Sequence, residues 1–236
     1  MTLHPSPFTL HGLFVTGTDT AVGKTLMTCA LLHAYAARGL HVVGMKPVAA
    51  GAQWHADGLR NDDVEQILEA GNVAAPRELV NPYCFEPAIA PHIAARIAGT
   101  EIDLLHLERA YAALGAMADM VVVEGAGGFC VPLNAREDTA DLAQRLRLPV
   151  LLVVGMRLGC LNHALLTAQA IHARGLKLAG WVANHIDPQM MQAEDNVAAL
   201  SERLGAPPVA RIAFSPCPDP RAIATSLDID QSGYFG

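Results

Sequence analysis

Short apolar runs alternate with helix-length segments along most of the chain. The runs are 12–17 (GLFVTG), 41–48 (HVVGMKPV), 118–128 (ADMVVVEGAGG), 148–155 (LPVLLVVG), 176–184 (LKLAGWVAN) and 207–214 (PPVARIAF). Four of them are nearly continuous in Val, Leu, Ile and Ala. An alternating strand has one wet face and a continuous run has none, so these read as strands covered on both sides. Helical segments fall between the runs, at 23–39 and at roughly 62–70, 104–117, 138–147, 160–174 and 190–204. That order predicts an α/β fold, a mostly parallel central sheet with helices on both faces, in a single domain over 1–236. Residues 1–11 read as a flexible N-terminal extension, and 49–103, rich in Pro, as an excursion over one sheet edge.

In such a sheet, ligands gather at the carboxyl ends of the strands. Polar and glycine residues cluster at five of those ends: 16–25, 46–51, 124–128, 155–162 and Asn184. At the first, LFVTGTDTAVGKT (13–25) nearly fits a phosphate loop, with five residues rather than four between Gly17 and Gly23. Such a loop turns backbone N–H groups inward at a helix start, while its lysine reaches the outer phosphates. Gly23, Lys24 and Thr25 have the required identities, between a predicted strand and a predicted helix. An ordinary strand–helix turn is the competing reading, and the order of all the parts favours phosphate. The extra residue marks a variant loop rather than a different role.

Composition narrows the class. The chain is 52% hydrophobic and 17% charged, with 16 basic against 23 acidic residues and a net charge of -7, which disfavours nonspecific nucleic-acid binding. Its five cysteines are an odd number with no Cys-x-x-Cys spacing, as expected of reduced thiols in the cytoplasm. The first twelve residues lack a signal-peptide pattern, and no uncharged apolar run is long enough to predict a membrane span.

VTGTDTAVGKT (15–25), KPVAAG (46–51), GLRNDD (58–63), NPYCFEPAIAPHIAA (81–95), VEGAGGFCVPL (123–133), RLGCLNHALLTAQAI (157–171) and GWVAN (180–184) together resemble the dethiobiotin synthetases, in order from about residue 13 to about 214. The phosphate loop alone is shared with many ATPases; the full set is far more specific. The resemblance implies a P-loop NTPase-like fold, ATP and Mg2+ as cofactors, and a homodimer. It also implies an ATP-dependent ring closure on 7,8-diaminopelargonic acid with CO2. In that reaction an amine takes up CO2, the carbamate attacks the γ-phosphate, and the second amine displaces phosphate as the ring closes. No covalent enzyme nucleophile is needed, in keeping with the lack of a Ser-His-Asp or Cys-His signature.

A carbamate and a triphosphate are both anions, so fixed cations must stand between them. Lys24 and Lys46 suit that part, and clustered cations would also favour a neutral, nucleophilic diamine. The resemblance carries the metal ligands to Thr25, Asp63 and Glu124, hard oxygens suited to magnesium. Asp63 has a second reading, because DDVE also fits a plain helix start with Asp62 as N-cap and Glu65 completing a capping box. The nucleotide site would comprise Ala21, Val22, Gly23, Lys24, Thr25, Leu26, Asp63, Glu124, Gly125, Ala126 and Gly127. Asn184 has an amide able to pair with the adenine edge, beside His185, with Ala213 and Phe214 closing over the base; a plain turn Asn is the alternative. Substrate contacts fall to Thr20 and Ala50, and to Gly159, Cys160, Leu161 and Asn162, which would receive the carboxylate tail of substrate bound to the partner subunit.

Some positions depart from the family pattern. Ala21 stands where Glu is common, Ala50 where Ser or Thr is common, His185 where an acid is frequent, and Asn196 where a tyrosine could meet the substrate. ARIAF (210–214) lacks an expected Gly-x-Ile-Pro. None of these touches the lysines or the metal ligands. Two rivals remain: a partition or septum-positioning ATPase, though GTDTA lacks that group's second loop lysine, and a cobyrinic-acid-type amidotransferase, for which 236 residues leave no glutaminase domain.

Overall fold

A computed structural model of the chain describes residues 11–227. Strand β1 (His11–Gly17) leads through a loop into helix α1 (Lys24–Ala36) and then β2 (Val42–Met45). An excursion follows: β3 (Val48–Ala50), the hairpin of β4 (Gln53–His55) and β5 (Gly58–Arg60), α2 (Asp62–Ala70), α3 (Arg77–Val80), β6 (Tyr83–Phe85) and α4 (Pro91–Ile97). The chain continues through α5 (Leu104–Gly115), β7 (Met120–Glu124), α6 (Thr139–Leu146), β8 (Val150–Met156) and α7 (Cys160–Ala173). It closes with β9 (Leu178–His185), α8 (Ala193–Leu204), β10 (Ala210–Ile212) and α9 (Pro220–Ser226).

The main sheet has the order β10-β9-β8-β1-β7-β2, and every neighbouring pair in it is parallel. β2, β7 and β8 are buried along their whole length, which is why their sequences do not alternate. On one side of β8 and β9, Leu152, Val154, Met156 and Trp181 pack with Ala164 of α7 and with Val197 and Leu200 of α8. Trp181 is fully buried, and its indole N–H donates to the Ala206 carbonyl at 2.9 Å, so its polar end is satisfied. Among the described residues no helix is long and apolar enough to cross a membrane.

Two features of the site follow from where the sheet stops. β1 lies between β7 and β8, so the loop leaving it opens beside the carboxyl ends of both neighbours. The run 41–48, expected as one strand, is divided at Lys46–Pro47. Pro47 has no N–H to donate to a ladder, and the Lys46 N–H bonds instead to the Val80 carbonyl at 2.8 Å. β3 therefore pairs with β6 in a separate two-stranded sheet, and Lys46 is left at the break.

The excursion is more ordered than its sequence suggests. Its strands have three residues each, and α3 and α4 have four and seven, too few for a periodic signal. Helix α9 was likewise not expected; it packs on α1. The N-terminal extension lies outside the described residues except for His11, which opens β1, and so do residues 228–236.

Candidate active site

α1 begins at Lys24, directly after Gly23, whose φ of 92° and ψ of 29° lie in the left-handed region. A Cβ there would stand 2.2 Å from the Asn184 side-chain nitrogen, so both the backbone angle and the space call for glycine. No side chain caps α1, which leaves its first N–H groups available to an anion. Ala21 also has positive φ, 57°, so the loop holds two left-handed residues within three. Two hydrogen bonds pin the loop's start: Thr18 N–H donates to the Val153 carbonyl at 3.0 Å, and Gly155 N–H donates to the Thr18 hydroxyl at 3.3 Å.

Lys24 is buried and its ammonium folds back to the Asp19 carbonyl at 2.8 Å. Burial first, and the nearby Lys46 ammonium second, push its pKa down to about 8. An anion in front of the loop would offer this poorly compensated cation a better partner than one carbonyl.

Lys46 is held differently. Only 5% of it is exposed, and its ammonium donates to Asp63 Oδ2 at 3.1 Å and, in a closer contact, to Glu124 Oε1. Burial opposes its charge, but the carboxylates of Glu124 and Asp63 outweigh that and hold its pKa above the ordinary lysine value. Asp63 answers in kind: burial would raise its pKa, and the Lys46 ammonium outweighs this and keeps it low. The Thr25 hydroxyl donates to the same Glu124 Oε1 at 2.9 Å. Glu124 is fully buried, and its Oε2 has no hydrogen-bond partner among the described residues. A buried carboxylate oxygen without a donor is a strong site for a cation. With Thr25 Oγ1 and Asp63 beside it, the donor set is all hard oxygen, which fits Mg2+.

Asp63 is aimed by the start of α2. The N-cap is Asn61, not Asp62: its side chain accepts from the backbone N–H groups of Asp63 and Val64 at 3.1 and 3.4 Å. The expected capping box is absent because, with Asn61 as N-cap, Val64 takes the third helical position; Glu65 instead accepts from Arg60 and Arg77. Asn61 also donates to the Ala50 carbonyl at 3.2 Å, tying α2 to the end of β3. This residue was missed in the sequence, although an Asn just before a helix with an acidic first turn is a cap signal.

One cleft of about 750 Å3 gathers half of the expected residues: Thr20, Ala21, Gly23, Lys24, Thr25, Lys46, Ala50, Asp63, Glu124, Ala126 and Gly127 all line it. Its apolar wall, Val48, Ala88, Ile89, Pro91 and Val131, was not anticipated, because it comes from three separate parts of the chain. Val22, Leu26 and Gly125 stand behind the lining; Val22 is buried, and the Gly125 N–H donates to the Val15 carbonyl at 3.0 Å.

Other expected residues lie outside that cleft. Asn184 is buried behind the loop, where its side-chain amide donates to the Val22 carbonyl at 2.8 Å. One amide hydrogen and the side-chain oxygen remain for a base edge. The β9–β10 register sets Ile212 beside Asn184, so Ala213 and the half-exposed Phe214 continue past the strand end next to His185. Gly159, Cys160, Leu161 and Asn162 open α7, whose Gly159 N-cap has φ 95° and no side-chain cap. This turn is joined to the loop between β1 and α1 by an ion pair between Arg157 and Asp19. A second groove of about 540 Å3, at the amino ends of β8 and β9, holds none of the expected residues.

A family model described as an AAA domain matches residues 11–219. The ATP-dependent dethiobiotin synthetase BioD of Nitrosospira multiformis is 55% identical over 94% of this chain and 96% of its own length. The protein of the same name from Aromatoleum aromaticum is 52% identical over 91% and 95%. Among solved structures, a ParA family ATPase from Chlorobium tepidum aligns with TM-score 0.55 at 11% identity, covering 95% of this chain and 93% of that one. The MinD cell division protein of Aquifex aeolicus aligns with TM-score 0.54 at 17% identity, covering 87% and 83%. At those identities the structural likeness speaks to fold alone.

Proposed function

Because this chain belongs to the ATP-dependent dethiobiotin synthetase family, we propose that its two cleft lysines and three oxygen donors are the machinery of that family's ring closure. The enzyme is an ATP-dependent ligase that forms the ureido ring of dethiobiotin in biotin biosynthesis. ATP and Mg2+ are its cofactors, and the fold is of the P-loop NTPase kind in a single domain. The observation that carries the residue assignment is that Lys24, Thr25, Lys46, Asp63 and Glu124 line one cleft, although four different elements or their ends supply them.

The loop from Thr20 to Lys24 and the open start of α1 bind the phosphates of ATP, with the Lys24 ammonium on the outer ones. Thr25, Asp63 and Glu124 hold magnesium, which supplies charge neutralisation at the phosphates when bound. The carbamate of 7,8-diaminopelargonic acid, formed from one amine and CO2 with loss of a proton, lies between the lysines. Its oxygen attacks the γ-phosphorus and ADP departs. The second amine then attacks the carbonyl carbon of the mixed anhydride; phosphate leaves and the ring closes as that nitrogen gives up its proton. Lys24 and Lys46 lower the cost of bringing the two anions together. Ala50, Ile89 and Val131 flank the aliphatic chain. The base rests by Asn184, His185, Ala213 and Phe214.

ATP hydrolysis measured with and without the diamine and bicarbonate tests this reading, with dethiobiotin detected by mass. Turnover that requires both is expected. Diamine-independent turnover stimulated by DNA or lipid would instead indicate a switch ATPase.

The 159–162 turn is assigned to the carboxylate tail of substrate held by a second copy, which makes the enzyme a homodimer. Two exposed leucines support this: Leu158 is 97% exposed immediately before that turn, and Leu166 of α7 is 55% exposed. Leu158→Glu is expected to shift sedimentation from dimer to monomer and to reduce turnover with it. A fully active wild-type monomer would remove the partner subunit from the site. A cytoplasmic location suits five free thiols.

A further inference from the structure

Lys46 and the proposed metal depend on the same two carboxylates. The Lys46 ammonium contacts Glu124 Oε1 and lies 3.1 Å from Asp63 Oδ2, and Glu124 and Asp63 are two of the three assigned magnesium ligands. The third, Thr25, donates to that same Glu124 Oε1 at 2.9 Å. A lysine ammonium and a divalent cation held on one buried carboxylate pair repel each other, even with Glu124 Oε2 open to the metal. The cleft that Lys46 lines is also lined by Ala49, Ala50, Ala88, Ala90 and Ala126, whose short side chains leave room for a long flexible one.

We propose that Lys46 and the divalent cation are mutually exclusive occupants of the Glu124–Asp63 pair. Metal arriving with nucleotide displaces the Lys46 ammonium from the carboxylates into the cleft, where it meets the carbamate and the terminal phosphate. The lysine is thereby neutralised by its own carboxylates until the metal is in place, and it becomes an unpaired cation only when anions are present to receive it. The inference rests on the assignment of Glu124 and Asp63 as metal ligands and adds to it the position and timing of Lys46.

Mn2+ alone, titrated into the full chain without nucleotide and followed by the electron paramagnetic resonance of the free ion, tests it. Lys46→Met is expected to bind Mn2+ at least about tenfold more tightly than wild type, since a competing cation is gone. Equal or weaker binding by Lys46→Met overturns the proposal. Adding Glu124→Gln to Lys46→Met is expected to abolish the tight binding; if it persists, the ligand assignment itself fails, a separate result. Should Lys46→Met not fold, the wild-type chain carries the test. A hydrogen-bond scalar coupling between Lys46 15Nζ and the Glu124 carboxylate carbon is expected without divalent cation and lost with Mg2+ and ADP. Persistence of that coupling in the Mg2+–ADP complex overturns the proposal.

Discussion

Lys46→Gln is expected to lower kcat for ring closure by about 1000-fold, in the range found when one fixed charge or donor is removed from a developing anionic centre. Nucleotide binding should stay measurable, because Lys24 and the loop N–H groups, not Lys46, are assigned to the phosphates of the bound nucleotide. The substitution removes the cation between carbamate and γ-phosphate and takes the charge, though not the Thr25 hydroxyl, away from Glu124. Glutamine can still donate one hydrogen bond to Glu124, so the fold should survive better than with an apolar replacement. Single-turnover formation of dethiobiotin beside calorimetric ADP binding separates the two effects. Product formation at the wild-type rate would take Lys46 out of the chemistry.

Gly23→Val is expected to weaken ATP binding by about 100-fold or more, equivalent to roughly 3 kcal/mol. Two independent costs combine at this position. A φ of 92° is strained for any residue with a Cβ and most of all for a β-branched one, at about 1–3 kcal/mol. That Cβ would also lie 2.2 Å from the Asn184 side-chain nitrogen, which is itself bonded to the Val22 carbonyl. Either the loop or Asn184 must move, and both are assigned to the nucleotide. Binding titrations with ATP and thermal melts of the ligand-free protein distinguish lost recognition from lost folding. Near wild-type affinity would mean that the loop tolerates a conformation without this turn.

The two predictions concern residues of different legibility. Gly23 stood out in the sequence because strand, glycine, Gly-Lys-Thr and helix follow one another locally, and a local backbone device leaves a local pattern. Lys46 was legible only as a lysine at a strand end before proline; its partners Asp63 and Glu124 are 17 and 78 residues further along. Asn61 was overlooked in favour of Asp62 because both are good caps, and only the helix start decides between them. The apolar cleft wall was invisible, since Val48, Ile89 and Val131 share no periodicity.

The sequence by itself determined the parallel sheet, its two covered faces and the glycine turn that leads from β1 into α1. Burial on both faces demands continuous apolar runs, and a loop turning into a helix demands glycine at a set place. The tertiary structure alone decided that Lys46 leaves the sheet at Pro47, that Thr25 and Lys46 meet on one oxygen of Glu124, and that Asn184 lies behind the loop. Those contacts arise from strand order, with β1 between β7 and β8, and strand order is set by how the faces pack together rather than by any short stretch of chain.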